Sequence, residues 1–152
     1  LLVGIASGLG GRFFDELRDR RSLAYTVQAF SAPRRLGGAI GAYIATSPER
    51  EAEARDGLLA EFARLVAEPV RDEELARAQT YVLGTYAIAR QGGGALLADL
   101  VDAWLLGEGL GELETVEARV RAVTPASLRA MARRFLDPAA HVEGVVRGTG
   151  AR

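Results

Sequence analysis

A chain of 152 residues, 49% hydrophobic and 26% charged, has the length of one domain and enough apolar content for a real core, which excludes a disordered segment. Its 19 basic and 20 acidic residues nearly cancel, so no bulk field favours nucleic acid or an anionic membrane surface. There is no Cys, hence no disulfide framework and no thiolate metal site, and no run of about eighteen apolar residues that would span a membrane.

Every basic residue is Arg and none is Lys, which reads as codon bias in a GC-rich source. Lack of Cys suits cytoplasm and periplasm alike, so the compartment stays open. No secretory signal is visible. The chain opens on Leu1-Leu2-Val3-Gly4-Ile5-Ala6, an apolar start with neither initiator Met nor polar cap, and the expectation is a fragment of a longer, multi-domain protein.

Leu1 to Ser7 is short and apolar and is expected to be the first part of a helix. Ser7-Gly8-Leu9-Gly10-Gly11 invites comparison with phosphate-cradling loops. It lacks the spacing, follows no strand and has no acidic residue in place, so a kink or close helix contact is the better account. Leu9, Phe13 and Leu17 then recur four apart, with Phe14 widening the stripe. Glu16 and Arg20 make a favourable i, i+4 pair, and Arg18, Arg20 and Arg21 crowd the last turn, where cations suit the negative end of a helix.

After Ser22 the period changes from helical to two. Tyr25, Val27 and Ala29 alternate with Thr26, Gln28 and Phe30. Ile40, Ala42 and Ile44 alternate likewise, so strands at 25–30 and 39–45 form a hairpin around a loop from Ser31 to Gly38, with Arg34 and Arg35 at its tip. Ser47-Pro48 reads as an N-cap followed by proline, opening a helix to about residue 67 with Leu58, Phe62, Leu65 and Val66 buried. Asp72 is expected to cap the next helix, in which Leu75, Ala78, Val82, Tyr86 and Ala89 keep helical spacing. Gln91-Gly92-Gly93-Gly94 is a hinge, since a phosphate loop would need a following Lys and a hydroxyl.

Leu96, Leu97, Leu100, Val101, Trp104 and Leu105 make a strongly apolar helix, read as core rather than a cofactor box and closed by Gly107 to Gly111. A short helix follows over 115–123. Thr124-Pro125 opens the last one, with Leu128, Met131, Ala132 and Phe135 expected inward. Asp137-Pro138 turns the chain into a final strand over 141–147.

Arg18 and Tyr25 are the candidate functional pair. One lies late in a helix and the other at a strand start, and a tight exit between them brings a guanidinium and a phenol to one patch. Those are two donors suited to carbonyl or carboxylate oxygens. Spacing alone favours the plainer account, with Arg18 a helix-end cation and Tyr25 a half-buried strand residue. His141 is the lone His, so the chain offers no zinc ligand set of its own, and nothing resembles a G-x-S-x-G elbow. Asp72-Glu73-Glu74 sits at a helix start, where the helix dipole explains it. Arginines interleaved with acids rank nucleic-acid binding low.

Leu17-Arg18 through Leu23-Ala24-Tyr25, an L-R-x-x-x-x-L-A-Y stretch, resembles the second-domain motif of the pitrilysin/insulinase-type zinc metallopeptidases, which include mitochondrial processing peptidases and many bacterial proteins. Gly10-Gly11-Arg12-Phe13-Phe14 resembles that family's helix start, and Phe30 to Arg35 resembles the loop after its strand in the insulin-degrading branch. The resemblance implies an α+β, processing-peptidase-like fold: an antiparallel sheet with helices mainly on one face, lacking its N-terminal strands. It implies that Arg18 and Tyr25 act in catalysis by bonding substrate backbone and stabilising the transition state. Apart from the resemblance, Arg34 and Arg35 at the hairpin tip are candidate contacts for an acidic substrate, with simple solvation of exposed loop arginines the plainer account. The H-x-x-E-H motif is absent. Zinc, its ligands and the general base would therefore come from another domain or subunit, in a homo- or heterodimer. A non-catalytic scaffold subunit of the same fold is the alternative.

Overall fold

The computed structural model describes residues 1–8, 10–107, 109–136 and 140–148. Its sheet, among those residues, is an antiparallel pair: β1 (Thr26–Arg34) and β2 (Gly37–Ala45), in register from Thr26 opposite Ala45 to Arg34 opposite Gly37. The helices are α1 (Leu2–Ser7), a π-helical segment (Phe14–Arg20), α2 (Glu51–Ala67, entered through a 3₁₀ turn at Pro48–Arg50), α3 (Asp72–Ala89), α4 (Gly93–Leu105), α5 (Glu112–Arg121) and α6 (Pro125–Phe135).

The two-residue period of both strands decides which face is covered. Val27 and Ala29 on β1, with Ile40, Ala42 and Ile44 on β2, turn toward the core, while Gln28, Phe30 and Tyr43 face out. Helices therefore cover one face of the ribbon, as an α+β reading requires. The hairpin is tighter than its Pro- and Gly-bearing loop suggests. Both strands run to the tip, and Arg35 and Leu36 alone make the turn. Gly41 lies directly under the ring of Phe30, where an added Cβ would come within 2.6 Å of that ring.

Phe13 and Leu17 are fully buried, and the Phe13 ring meets Phe62 of α2 edge-on at 5.2 Å. Leu23, Leu65, Val70, Leu75, Leu128 and Ala132 complete the same core. Leu9, expected on the Phe13–Leu17 stripe, and the Asp137-Pro138 turn lie outside the described residues. Gly57 of α2 permits close approach. A Cβ there would sit 2.9 Å from both Leu17 Cδ2 and Arg21 Nη1.

Several expectations are corrected. The apolar stripe of α4 is not core: Trp104 is 72% exposed, Leu97 and Leu105 are exposed too, and Ala103 is the buried position on that helix. Helical spacing records that a stripe exists, not that a neighbour covers it. Residues 141–147 are not a strand. Among the described residues they have no sheet partner; Val142 and Val146 are almost fully exposed, and two ion pairs tie the segment along α2. Arg55 clasps Glu143 at 2.6 and 2.7 Å, and Arg147 clasps Glu51 at 2.6 and 2.7 Å. On α6, Leu128 and Ala132 are buried, whereas Met131 and Phe135 are about half-exposed. Arg71, not Asp72, precedes α3 as its cap residue, and its N–H donates to the Glu74 carboxylate at 3.4 Å. Ser47 makes no side-chain cap bond, and α5 starts at Glu112, three residues earlier than expected. Thr124 does cap α6: its hydroxyl accepts from the Ser127 N–H, and the Ser127 hydroxyl accepts from the Thr124 N–H.

Candidate functional site

The helix that carries Arg18 is wound as a π-helix, a rare form that is frequent at functional sites. It is held from below by the buried Phe13 and Leu17 and from the side by Arg12. Arg12 reaches the start of α3, donating to both Glu74 oxygens at 2.8 and 3.0 Å and to the Pro69 carbonyl at 3.2 Å. Burial pushes the Glu74 carboxyl up, but hydrogen bonds and charge from Arg12 outweigh it, so the group lies below the usual carboxylate range.

At the exit the chain reverses. The Ser22 N–H donates to the Arg18 carbonyl at 2.9 Å, and the Leu23 N–H to the Leu17 carbonyl at 2.7 Å. Leu23 is buried beneath the turn. Tyr25 then emerges one residue before β1, 83% exposed. The Arg18 guanidinium lies over two rings, 4.5 Å from the centre of Phe14 and 4.9 Å from that of Tyr25. Arg18 is half-buried, and among the described residues no carboxylate pairs with it. Beside Tyr25 an open cleft of about 430 Å³ runs between the ends of the hairpin strands, lined by Leu23, Ala45, Thr46 and Arg50 among others.

Arg18 and Tyr25, seven residues apart in sequence, are thus in direct ring contact. Arg34 and Arg35 are not part of that patch. They occupy the far end of the hairpin, nine strand positions from Tyr25, or about 30 Å at the rise of a strand. Arg34 donates to the carbonyl of its neighbour Pro33. His141 sits on the extended segment beside α2, 2.7 Å from Glu143, which Arg55 and His141 together hold down to about 2. No group of three or more His, Cys, Asp or Glu side chains that could hold a metal occurs among the described residues, so their donor set does not fit zinc. No described helix is long and apolar enough to cross a membrane.

Two contributors escaped the sequence reading. Phe14 reads in the sequence as part of the apolar stripe, although its spacing of four from Arg18 is the spacing at which helical side chains meet. Arg50 had no signal at all, because its partners are backbone carbonyls 28 and 29 residues earlier.

Residues 4–82 match the family model described as the peptidase M16 inactive domain. An uncharacterized zinc protease of Streptomyces coelicolor is 26% identical over 136 residues, which is 90% of this chain and 30% of that protein. The chain thus spans under a third of this curated relative. Among solved structures, a Bordetella pertussis chain described as a zinc protease superposes with a TM-score of 0.82 at 20% identity, over 97% of this chain and 82% of that one. A peptidase M16 inactive domain from Pseudomonas fluorescens superposes with a TM-score of 0.76 at 20% identity, over 90% of this chain and 33% of that one. These likenesses carry the same fold, and with the match over more than half its length the chain belongs to the peptidase M16 inactive-domain family.

Proposed function

We propose that this domain is the substrate-holding, non-zinc-bearing part of a zinc endopeptidase, in which Arg18 and Tyr25 bind the backbone of an extended peptide beside the scissile bond. The observation that carries this reading is the Arg18 guanidinium, in contact with two rings and free of a carboxylate partner among the described residues. Stacking restrains the plane of the guanidinium without consuming its N–H groups, so its donors are available to a peptide carbonyl. The exposed Tyr25 hydroxyl is a second donor, suited to the oxygen that gains charge as a tetrahedral intermediate forms.

Among the described residues no group of side chains fits zinc. A zinc-bearing domain or partner subunit of the same family would supply the Lewis acid and the activated water. This chain's own part is to orient the substrate and to donate hydrogen bonds. Arg34 and Arg35, about 30 Å along the hairpin, make a second contact available to acidic residues of a long extended substrate.

The test is peptide hydrolysis by the full-length protease. Tyr25→Phe removes one donor and keeps the ring, and is expected to lower kcat by about a hundred- to a thousandfold. Unchanged turnover in both Tyr25→Phe and Arg18→Ala would refute a catalytic pair and leave a scaffold subunit of this fold as the better reading.

A further inference from the structure

We propose that Arg50 is a positioning residue for the Arg18–Tyr25 pair, clamping the turn that joins them. Six residues, 19–24, separate the pair, and they must leave a π-helix and enter a strand. Ser22 makes the reversal with φ 47°, a left-handed backbone that a residue bearing a Cβ adopts at a cost and keeps only when its surroundings impose it.

What imposes it comes from the chain that leaves β2, which lies at the same end of the hairpin as the turn. Arg50 donates from Nη2 to the Arg21 carbonyl at 3.1 Å and from Nη1 to the Ser22 carbonyl. Thr46 donates from its hydroxyl to the Leu23 carbonyl at 2.6 Å. Three consecutive carbonyls of the turn are therefore held by two side chains at the junction of β2 and α2. Arg50 is aimed in turn by Glu53, which accepts from its Nε at 3.2 Å and its Nη2 at 3.1 Å, and Glu53 also accepts from Arg21 Nη2 at 3.2 Å. The planar fork of Arg suits this arrangement, since one rigid group bridges two carbonyls and a carboxylate.

The clamp spans 28 residues of sequence and touches neither Arg18 nor Tyr25. It fixes only the backbone between them, so its consequence is the separation of guanidinium and phenol. This rests on the functional reading above for its catalytic consequence, but not for its geometry.

The two are separated by measuring both in the full-length protein. The first readout is NMR of the Arg18 side chain with labelled arginine. Its Nε–Hε resonance, shifted by the Phe14 and Tyr25 rings, is expected to move toward the value of free arginine in Arg50→Met, less so in Arg50→Lys. Ser22→Gly, which adopts the left-handed turn without strain, is expected to restore part of the shift when combined with Arg50→Met. The second is hydrolysis. Arg50→Met is expected to lower kcat about ten- to a hundredfold, and to cause no further loss in an Arg18→Ala, Tyr25→Phe background. An Arg18 resonance unmoved by both Arg50→Met and Arg50→Lys overturns the clamp, as does a loss that simply multiplies in the triple variant. If Arg50→Met does not fold, Arg50→Lys and Thr46→Val carry the same NMR test. If Arg18→Ala and Tyr25→Phe themselves leave turnover unchanged, the functional reading falls while the resonance still judges the clamp.

Discussion

Arg18 and Tyr25 meet as cation and ring, 4.9 Å from guanidinium carbon to ring centre, across the turn that joins them. Losing the hydroxyl and losing the ring are therefore separable. Tyr25→Phe keeps the stack and is expected to change the unfolding free energy by less than about 0.5 kcal/mol, as for other exposed positions. Tyr25→Ala removes the stack and is expected to cost about 0.5–1 kcal/mol more, the usual worth of an exposed cation–π contact. Urea unfolding of the two variants side by side checks this, and equal midpoints would mean the stack contributes nothing.

The Arg12–Glu74 pair is nearly out of water on both sides. Arg12→Ala would leave Glu74 buried without its partner, and is expected to destabilise by about 3 kcal/mol. Because Glu74 is held below its ordinary value, its contribution is present above the unfolded pKa and is lost as pH falls through the lowered one. The gap between wild type and Arg12→Ala should therefore narrow on acidification below about pH 4.5, the ordinary carboxyl value. A gap that stays constant with pH would show that Arg12 acts through packing alone.

Glu61 has the opposite sign. It is 4% exposed on α2, and burial pushes its carboxyl up although Arg64 bonds it at 3.1 Å, with the Glu16 charge adding to the rise and Arg12 opposing it. A raised value means that protonation favours the fold: the stabilisation is full below the unfolded pKa and is lost as pH rises through the folded one. Glu61→Gln is expected to raise the thermal midpoint at pH 7 relative to wild type, with the difference shrinking toward pH 4. A lower midpoint at pH 7 would mean that the Arg64 bond outweighs the burial.

Gly57→Ala tests the close approach of α2 to the π-helix. Its Cβ would meet Leu17, which is fully buried and cannot move aside. Overpacking by one methyl typically costs about 1–3 kcal/mol, against about 1 kcal/mol gained from replacing a helical glycine. A net loss of about 1 kcal/mol is expected by denaturant titration, and a gain would show that the core around Leu17 yields.

On α4, Trp104→Gln and Leu97→Gln are expected to cost less than about 0.5 kcal/mol in this chain, because both side chains already face water. Leu128→Ala on α6, from a buried side chain, should cost about 2–5 kcal/mol. A large loss at Trp104 would place α4 inside the core after all.

The elements were legible because each follows from a local rule. The period of two at 25–30 and 39–45 yielded the hairpin, and Thr124-Pro125 yielded the start of α6. The exceptions have physical causes. Residues 141–147 alternate like a strand, yet a strand needs a neighbour to bond, and arginines of α2 and of the segment itself hold it by charge instead. The α4 stripe has the spacing of a core helix, but burial depends on which element lies opposite, and spacing along one helix carries no record of that.

The sequence by itself determined the family resemblance, the antiparallel hairpin and the choice of Arg18 and Tyr25, because motif, period and residue chemistry are all short-range. Tertiary structure alone decided that the two side chains touch, that the guanidinium also meets the Phe14 ring, that Arg34 and Arg35 stand about 30 Å away, and that Arg50 holds the turn. Those facts depend on where one element lies relative to another. That arrangement is set by the buried contacts of Phe13, Leu17 and Leu23 with α2 and the hairpin, whose partners lie tens of residues away and leave no pattern in the neighbouring sequence.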